Sequence, residues 1–258
     1  MMLETLNVHE NSHSITITLS RESHKNSINK KLLEELNTVL DYAEGHPTCN
    51  AIIVQGQHNF FCSGADLHEI ASLLDNPKAI HEWATLYMAT LKRLTLIPKL
   101  IIALVNGRAI GGGVGLAAAS DYVIATHSSQ FKLTELYWGL LPAMVTPYLI
   151  RRTGFQRAYM MSLTCRTLTA TEAYNIHLVD ELNGSIEESL HTQIQRVKHF
   201  EKEILRELKG YFNKMWMLDE EMEKLAIDKT TSLFLSEFAK TRIRDFVENK
   251  TLPWQEFP

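Results

Sequence analysis

The sequence predicts an α/β fold with a helical C-terminal region, and three observations carry that prediction. Short apolar runs alternate with stretches of helical period through the first 184 residues. One of those runs ends in a turn and feeds a helix that begins in glycines. From about Ser185 the composition turns charged and helical, with no further strand-like run.

Ser14-Ile15-Thr16-Ile17-Thr18-Leu19 alternates polar and apolar residues, as a half-buried strand does. Leu32, Leu33, Leu36, Val39, Leu40 and Ala43 then recur at helical spacing and stop before Gly45. Ala51-Ile52-Ile53-Val54 reads as a strand, about Asp75 to Ile97 as a helix, and Leu100 to Val105 as the next strand. After the turn pair Asn106-Gly107 comes Gly111-Gly112-Gly113-Val114-Gly115-Leu116-Ala117-Ala118-Ala119, a helix of small residues, and then the strand Asp121 to Ala125. Thr169-Ala170-Thr171-Glu172 has the form of a capping box, and Leu178 to Leu182 reads as a last short strand or turn. Asn183-Gly184 is the best boundary, dividing a core of residues 1–184 from a helical region of residues 185–258. In that region Leu205, Leu208, Phe212, Met215 and Trp216, and later Phe234, Leu235, Phe238, Ile243, Phe246 and Val247, need something to pack against, either the core or another subunit.

Composition narrows the function. With 258 residues, 45% of them hydrophobic, the chain can bury a substantial core. A net charge of −4 argues against a nucleic-acid partner. The longest apolar runs fall far short of the ~20 residues a membrane span needs, and Met1-Met2-Leu3-Glu4-Thr5 does not begin a signal peptide, so a cytoplasmic protein without a membrane partner is expected. Cys49, Cys62 and Cys165 are isolated and read as buried thiols. Nothing has metal-ligand spacing, so no metal is expected; Glu34-Glu35 and Glu220-Glu221 read as exposed helix faces. The glycines lack both the dinucleotide fingerprint and the Lys-Ser/Thr of a phosphate loop.

The glycines fit a different task. A helix start after a strand presents unpaired N–H groups at a positive dipole end, and glycine lets a ligand approach them. Phe60-Phe61-Cys62-Ser63-Gly64-Ala65-Asp66, after the strand Ala51 to Val54, supplies a second glycine-bearing turn. Together the N–H groups of Ala65 and Gly112 can hold a thioester oxygen as it gains negative charge.

With Phe131-Lys132-Leu133-Thr134-Glu135-Leu136-Tyr137-Trp138-Gly139-Leu140-Leu141-Pro142 downstream, these segments resemble, in order and spacing, the enoyl-CoA hydratase/isomerase (crotonase) family, from about Ile15 to the C-terminus. The resemblance implies a spiral of ββα units, C-terminal helices that form a trimer interface, and a homotrimer or dimer of trimers. It puts Glu135 in the general acid/base position, among apolar neighbours that should raise its pKa. Hydratases of the family carry a second glutamate where this chain has Gly115, so two-carboxylate hydration is not expected, and dehydration or double-bond isomerisation by a single carboxylate is. The runs Phe61 to Ile70, Leu133 to Ala143 and Tyr148 to Gly154, with the ending Leu252-Pro253-Trp254-Gln255, resemble the dehydratase of polyketide β-branching cassettes, which also lacks that glutamate. What this implies is dehydration of 3-hydroxy-3-methylglutaryl carried on an acyl carrier protein to the 3-methylglutaconyl thioester. No cofactor is implied beyond the phosphopantetheine arm of the carrier or of CoA. The rivals are an enoyl-CoA isomerase, a glutaconyl-thioester decarboxylase and a scaffold without catalysis. Asp66 either lines the pocket or, as we prefer, caps the helix that starts beside it. His68 and Tyr137 are further pocket candidates, and Lys132, Arg108, Arg151 and Arg152 are the cations available for a distal carboxylate.

Overall fold

The computed structural model describes residues 3–182, 185–216 and 218–254. The boundary at Asn183-Gly184 and the final Gln255 therefore lie outside the described residues. Strands β1 (Leu6–Glu10) and β2 (Ser14–Leu19) form an antiparallel hairpin, and helix α1 (Lys30–Gly45) follows. Asn29 caps α1 by accepting the Leu32 N–H, and the stripe Leu32, Leu33, Leu36, Val39, Leu40 and Ala43 is the face it buries.

From there the chain repeats one unit. Strand β3 (Ala51–Gln55) leads through β4 (Phe60–Cys62) into α2 (Leu67–Leu73) and α3 (Pro77–Leu96). Strand β5 (Leu100–Val105) leads through β6 (Arg108–Ile110) into α4 (Gly112–Ala119). Strand β7 (Tyr122–Ala125) leads through β8 (Gln130–Lys132) into the 3-10 turn Glu135–Trp138. The first strand of each unit joins one sheet and the second strand joins another, so the chain advances as a spiral of ββα turns. The remaining elements are α5 (Thr146–Thr153), α6 (Phe155–Thr164), β9 (Leu168–Thr169), α7 (Ala170–Asn175), β10 (Glu181–Leu182) and α8 (Ile186–Val197), then α9 (Lys202–Met215), α10 (Glu220–Phe234) and α11 (Glu237–Asn249).

The large sheet has the order β1-β2-β3-β5-β7-β10 and is parallel except for the first hairpin; the small sheet is β4-β6-β8-β9. Strand β5 is apolar along its whole length, and β3 as far as Val54, because both faces are covered. One face meets α1, α3 and α4 in the main core; on the other, Ile53, Ile102, Leu104 and Ile124 pack beneath Ile186, Leu190 and Ile194 of α8. The capping box forms as expected, with Thr169 and Glu172 capping α7 reciprocally. Strand β1, which the sequence reading did not include, is an edge strand whose only buried residue is Leu6, so it carries little apolar alternation.

The C-terminal helices divide the apolar residues that needed a partner. Helix α10 packs along α3, and α11 packs on α2 and on the 3-10 turn, closing over the end of the spiral. Trp216 lies edge-on to Tyr148 at 5.1 Å under the Arg151 guanidinium. Phe212 and Met215 do the opposite: with Ile204, Leu208 and Tyr211 they leave one side of α9 exposed. Among the described residues no helix is long and apolar enough to cross a membrane.

Candidate active site

The two glycine-bearing turns meet at the ends of β4 and β6. Ile28 bridges the first: its N–H donates to the Gly64 C=O at 2.7 Å, and its C=O accepts the Asp66 N–H at 2.9 Å. Both bonds fall on the residues flanking Ala65, so the Ala65 N–H faces the other way. In the second turn the Gly111 N–H donates to the Lys132 C=O at 2.8 Å, and Gly112 opens α4, where an N–H has no acceptor within its own helix. Gly64 has φ +89°, and a Cβ there would lie 2.9 Å from the Ile110 C=O oxygen and 3.3 Å from the Gly112 nitrogen. Only a glycine lets the two turns approach this closely. Among the described residues neither the Ala65 nor the Gly112 N–H donates a hydrogen bond, and both residues line a cavity of about 1070 Å³.

Glu135 starts the 3-10 turn after β8 and lines the same cavity. Its Oε2 accepts the Thr134 N–H at 2.8 Å, and its Oε1 lies beside Gly111, 3.2 Å from where a Cβ of that residue would sit. No cation pairs with it among the described residues. Burial pushes its pKa from 4.5 up to about 7, against the pull of the N–H groups of Glu135 and Thr134. A carboxyl poised there can both take and return a proton near neutral pH.

Across from it stands Tyr87 of α3, fully buried, whose hydroxyl donates to the Gly112 C=O at 2.7 Å. A Cβ on Gly115 would lie 2.2 Å from that hydroxyl oxygen and 3.0 Å from Val145 Cγ2. The tyrosine thus fills the space a side chain at Gly115 would need. Gly115→Glu is expected to lower stability by about 1–3 kcal/mol through overpacking, read in a urea melt, without gain of hydration of an unbranched enoyl-CoA. A stable, hydrating variant would contradict this account of Tyr87.

The model of the enoyl-CoA hydratase/isomerase family matches residues 9–257. The chain belongs to that family. The chain is 29% identical over 254 residues to the bacillaene synthase dehydratase PksH of Bacillus subtilis, covering 98% of this chain and 97% of that protein. It is 33% identical over 169 residues to the 2,3-dehydroadipyl-CoA hydratase of Escherichia coli, covering 65% of each chain. The crystal structure of a Bacillus subtilis polyketide biosynthesis enoyl-CoA hydratase superposes with a TM-score of 0.86 at 27% identity, covering 96% of this chain and 98% of that one. The expected crotonase spiral with its helical C-terminal region is therefore the fold of this chain.

In this family member Asp66 is a helix cap and half of an ion pair. Its Oδ1 accepts the N–H groups of His68 at 3.1 Å and Glu69 at 3.3 Å; its Oδ2 accepts from Arg21 Nη2 at 2.8 Å and from the Ser27 hydroxyl at 3.1 Å. Burial alone would raise its pKa, but Arg21, the Glu69 N–H and Ser27 outweigh that and hold it below the usual value. It borders the cavity with its oxygens engaged elsewhere. His68 also borders the cavity, its ring 5.9 Å from that of Phe246 on α11.

Tyr137 needs correction, because it is not among the residues lining the cavity. A 3-10 turn repeats every three residues, so Glu135 and Trp138 share a side and both line it, while Tyr137 points elsewhere. Its ring lies 5.4 Å from Trp254, and the Lys132 ammonium sits over both rings. The four candidate cations also separate. Arg151 donates to the Ala118 and Ser120 carbonyls at the end of α4, and Arg152 to the Leu178 and Ser120 carbonyls and to Asp180, away from the cavity. Lys132 and Arg108 line it, with Lys25 and Lys250. Cys49, Cys62 and Cys165 are all buried; burial raises the Cys62 thiol to about 12, which removes it as a nucleophile.

Proposed function

We propose that this hydratase-like lyase dehydrates a 3-hydroxyacyl thioester, and that its substrate is 3-hydroxy-3-methylglutaryl on the phosphopantetheine arm of an acyl carrier protein. The observation that carries this reading is one unpaired carboxylate beside two uncommitted backbone N–H groups, with Tyr87 in the space of a second carboxylate. The similarity to a bacillaene synthase dehydratase supports the polyketide setting.

The thioester oxygen takes the Ala65 and Gly112 N–H groups. Ionised Glu135 removes the C2 proton, and the electron pair moves into an enolate whose negative charge those N–H groups carry. As the enolate collapses to form the C2–C3 double bond, the C3–O bond breaks. Glu135 returns its proton to the leaving hydroxyl, and water departs with no net change at the enzyme. No cofactor beyond the pantetheine arm takes part.

The carrier-protein part of the reading is supported by charge at the cavity. Lys25 and Arg108 both lie 5.7 Å from the Phe60 ring and, with Lys132 and Lys250, can meet a phosphate and an acidic partner surface. The exposed face of α9 supports assembly into a trimer.

Intact-mass measurement of the loaded carrier protein tests the proposal, with loss of one water expected. Loss of carbon dioxide from a glutaconyl thioester would identify a decarboxylase, migration of a misplaced double bond in an unbranched CoA thioester an isomerase, and no change on any thioester a scaffold. Because Glu135 acts first as a base, kcat/KM is expected to rise with pH and level off above about 7. A flat profile from pH 5.5 to 8.5 (about three units spanning that pKa) would remove Glu135 from the base role.

A further inference from the structure

Among the described residues, two buried hydrogen-bond donors in the cavity wall have no acceptor. They are Trp83 Nε1 on α3 and Thr230 Oγ1 on α10, and both residues line the cavity. Trp83 is 3% exposed and Thr230 6%. Burying such groups unpaired is costly, so their persistence calls for a reason. Thr230 also departs from its own kind. The buried helical threonines Thr90, Thr95 and Thr153 each donate to the carbonyl four residues back, whereas Thr230 does not.

Both residues belong to the cavity wall on the Tyr87 side. The thioester oxygen is fixed at Gly112, whose C=O holds the Tyr87 hydroxyl. Trp83 lies one turn back along α3 and stacks on Tyr87, ring centroids 5.8 Å apart. Phe234 closes on Trp83 edge-on at 6.2 Å, and Thr230 is one turn before it on α10.

We propose that Trp83 Nε1–H and Thr230 Oγ1–H form a polar subsite that selects acyl thioesters ending in a hydrogen-bond acceptor, specifically a carboxylate five carbons along. The proposal rests on the thioester reading above and names the groups that recognise the distal end. In the sequence Trp83 and Tyr87 stand four residues apart, as do Thr230 and Phe234, a spacing that by itself reads as ordinary core.

Calorimetric binding of two pantetheine thioesters tests the subsite without requiring turnover. One is 3-methylglutaryl-pantetheine; the other is 3,5-dimethylhexanoyl-pantetheine, in which an isopropyl group replaces the carboxylate. Neither carries the hydroxyl that dehydration removes. The wild type is expected to prefer the carboxylate probe by roughly tenfold or more, since a site built to hydrogen-bond a polar group rejects an isostere without it. Thr230→Val, which keeps the side-chain shape, and Trp83→Phe should each weaken that probe by roughly tenfold and leave the isopropyl probe unchanged or tighter. Equal loss for both probes, no change in either variant, or no binding of either probe by the wild type would overturn the subsite. A carboxylate preference that depends on Trp83 and Thr230 without dehydration of the loaded carrier would support the subsite while refuting the dehydratase. Dehydration without the preference would refute the subsite alone.

Discussion

Glu135→Gln is expected to slow dehydration by about 10²–10⁴-fold and, at the same time, to make the folded protein more stable above neutral pH. Glutamine keeps the shape and can still accept the Thr134 N–H, but it cannot take the C2 proton or return one to the leaving hydroxyl. The stability effect follows from linkage. In the folded protein the Glu135 pKa is raised to about 7 from 4.5, so the folded state binds its proton more tightly than the unfolded state. Below pH 4.5 both states are protonated and the preference for the folded state is fully present. It is lost as pH rises to about 7, above which the ionised buried carboxylate costs up to roughly 3 kcal/mol. Urea denaturation of wild type and variant at pH 5 and 8 (about two units below and one above the folded pKa) should therefore give similar midpoints at the lower pH and a more stable variant at the higher. Equal stability at both would mean that the carboxylate is not held in a desolvated site, and the acid/base argument would lose its physical basis.

Asp66→Ala should be among the most damaging substitutions to stability in this region, by about 3–5 kcal/mol at neutral pH. It leaves the largely buried Arg21 guanidinium without its carboxylate partner and strips the cap from α2. Asp66→Asn keeps an oxygen for the His68 and Glu69 N–H groups and loses only the charge, so it should fall between the two. Because the folded pKa of Asp66 is depressed, the stabilisation is present above the usual carboxylate range and is lost as pH falls through the folded value. Denaturation curves of the three proteins at pH 7 would order them; an Ala variant as stable as wild type would refute the ion-pair account. Turnover should fall as well, since the Ala65 N–H is aimed by the bridge to Ile28 that lies directly before this cap.

The legibility of the fold tracks element length. Strands β2, β3, β5 and β7 and helices α1 and α4 follow from patterns that span a full period and are set by neighbours in the chain. Strands β4, β6 and β8 are three residues each, shorter than any alternation that could identify them, and exist because they pair with one another across the spiral. Edge strand β1 is hidden for another reason: exposed on most of its length, it has little apolar signal to read.

The same division runs through the site. Ala65, Gly112 and Glu135 are each announced locally, by a glycine turn after a strand or by a motif in its order along the chain, and the structure brings them to one cavity. Only the phase of a 3-10 turn separates Tyr137 from Trp138, and sequence spacing does not state that phase. Sequence alone determined the alternation of strands and helices, the glycine-led start of α4 and the absence of a carboxylate at residue 115. Tertiary structure alone decided that Tyr87 occupies the space beside Gly115, that Arg151 and Arg152 serve the end of α4 rather than the cavity, and that Trp83 and Thr230 line that cavity. Those groups come from different helices, and the packing of α3 on α4, of α4 on α5 and of α10 along α3 is what makes neighbours of them.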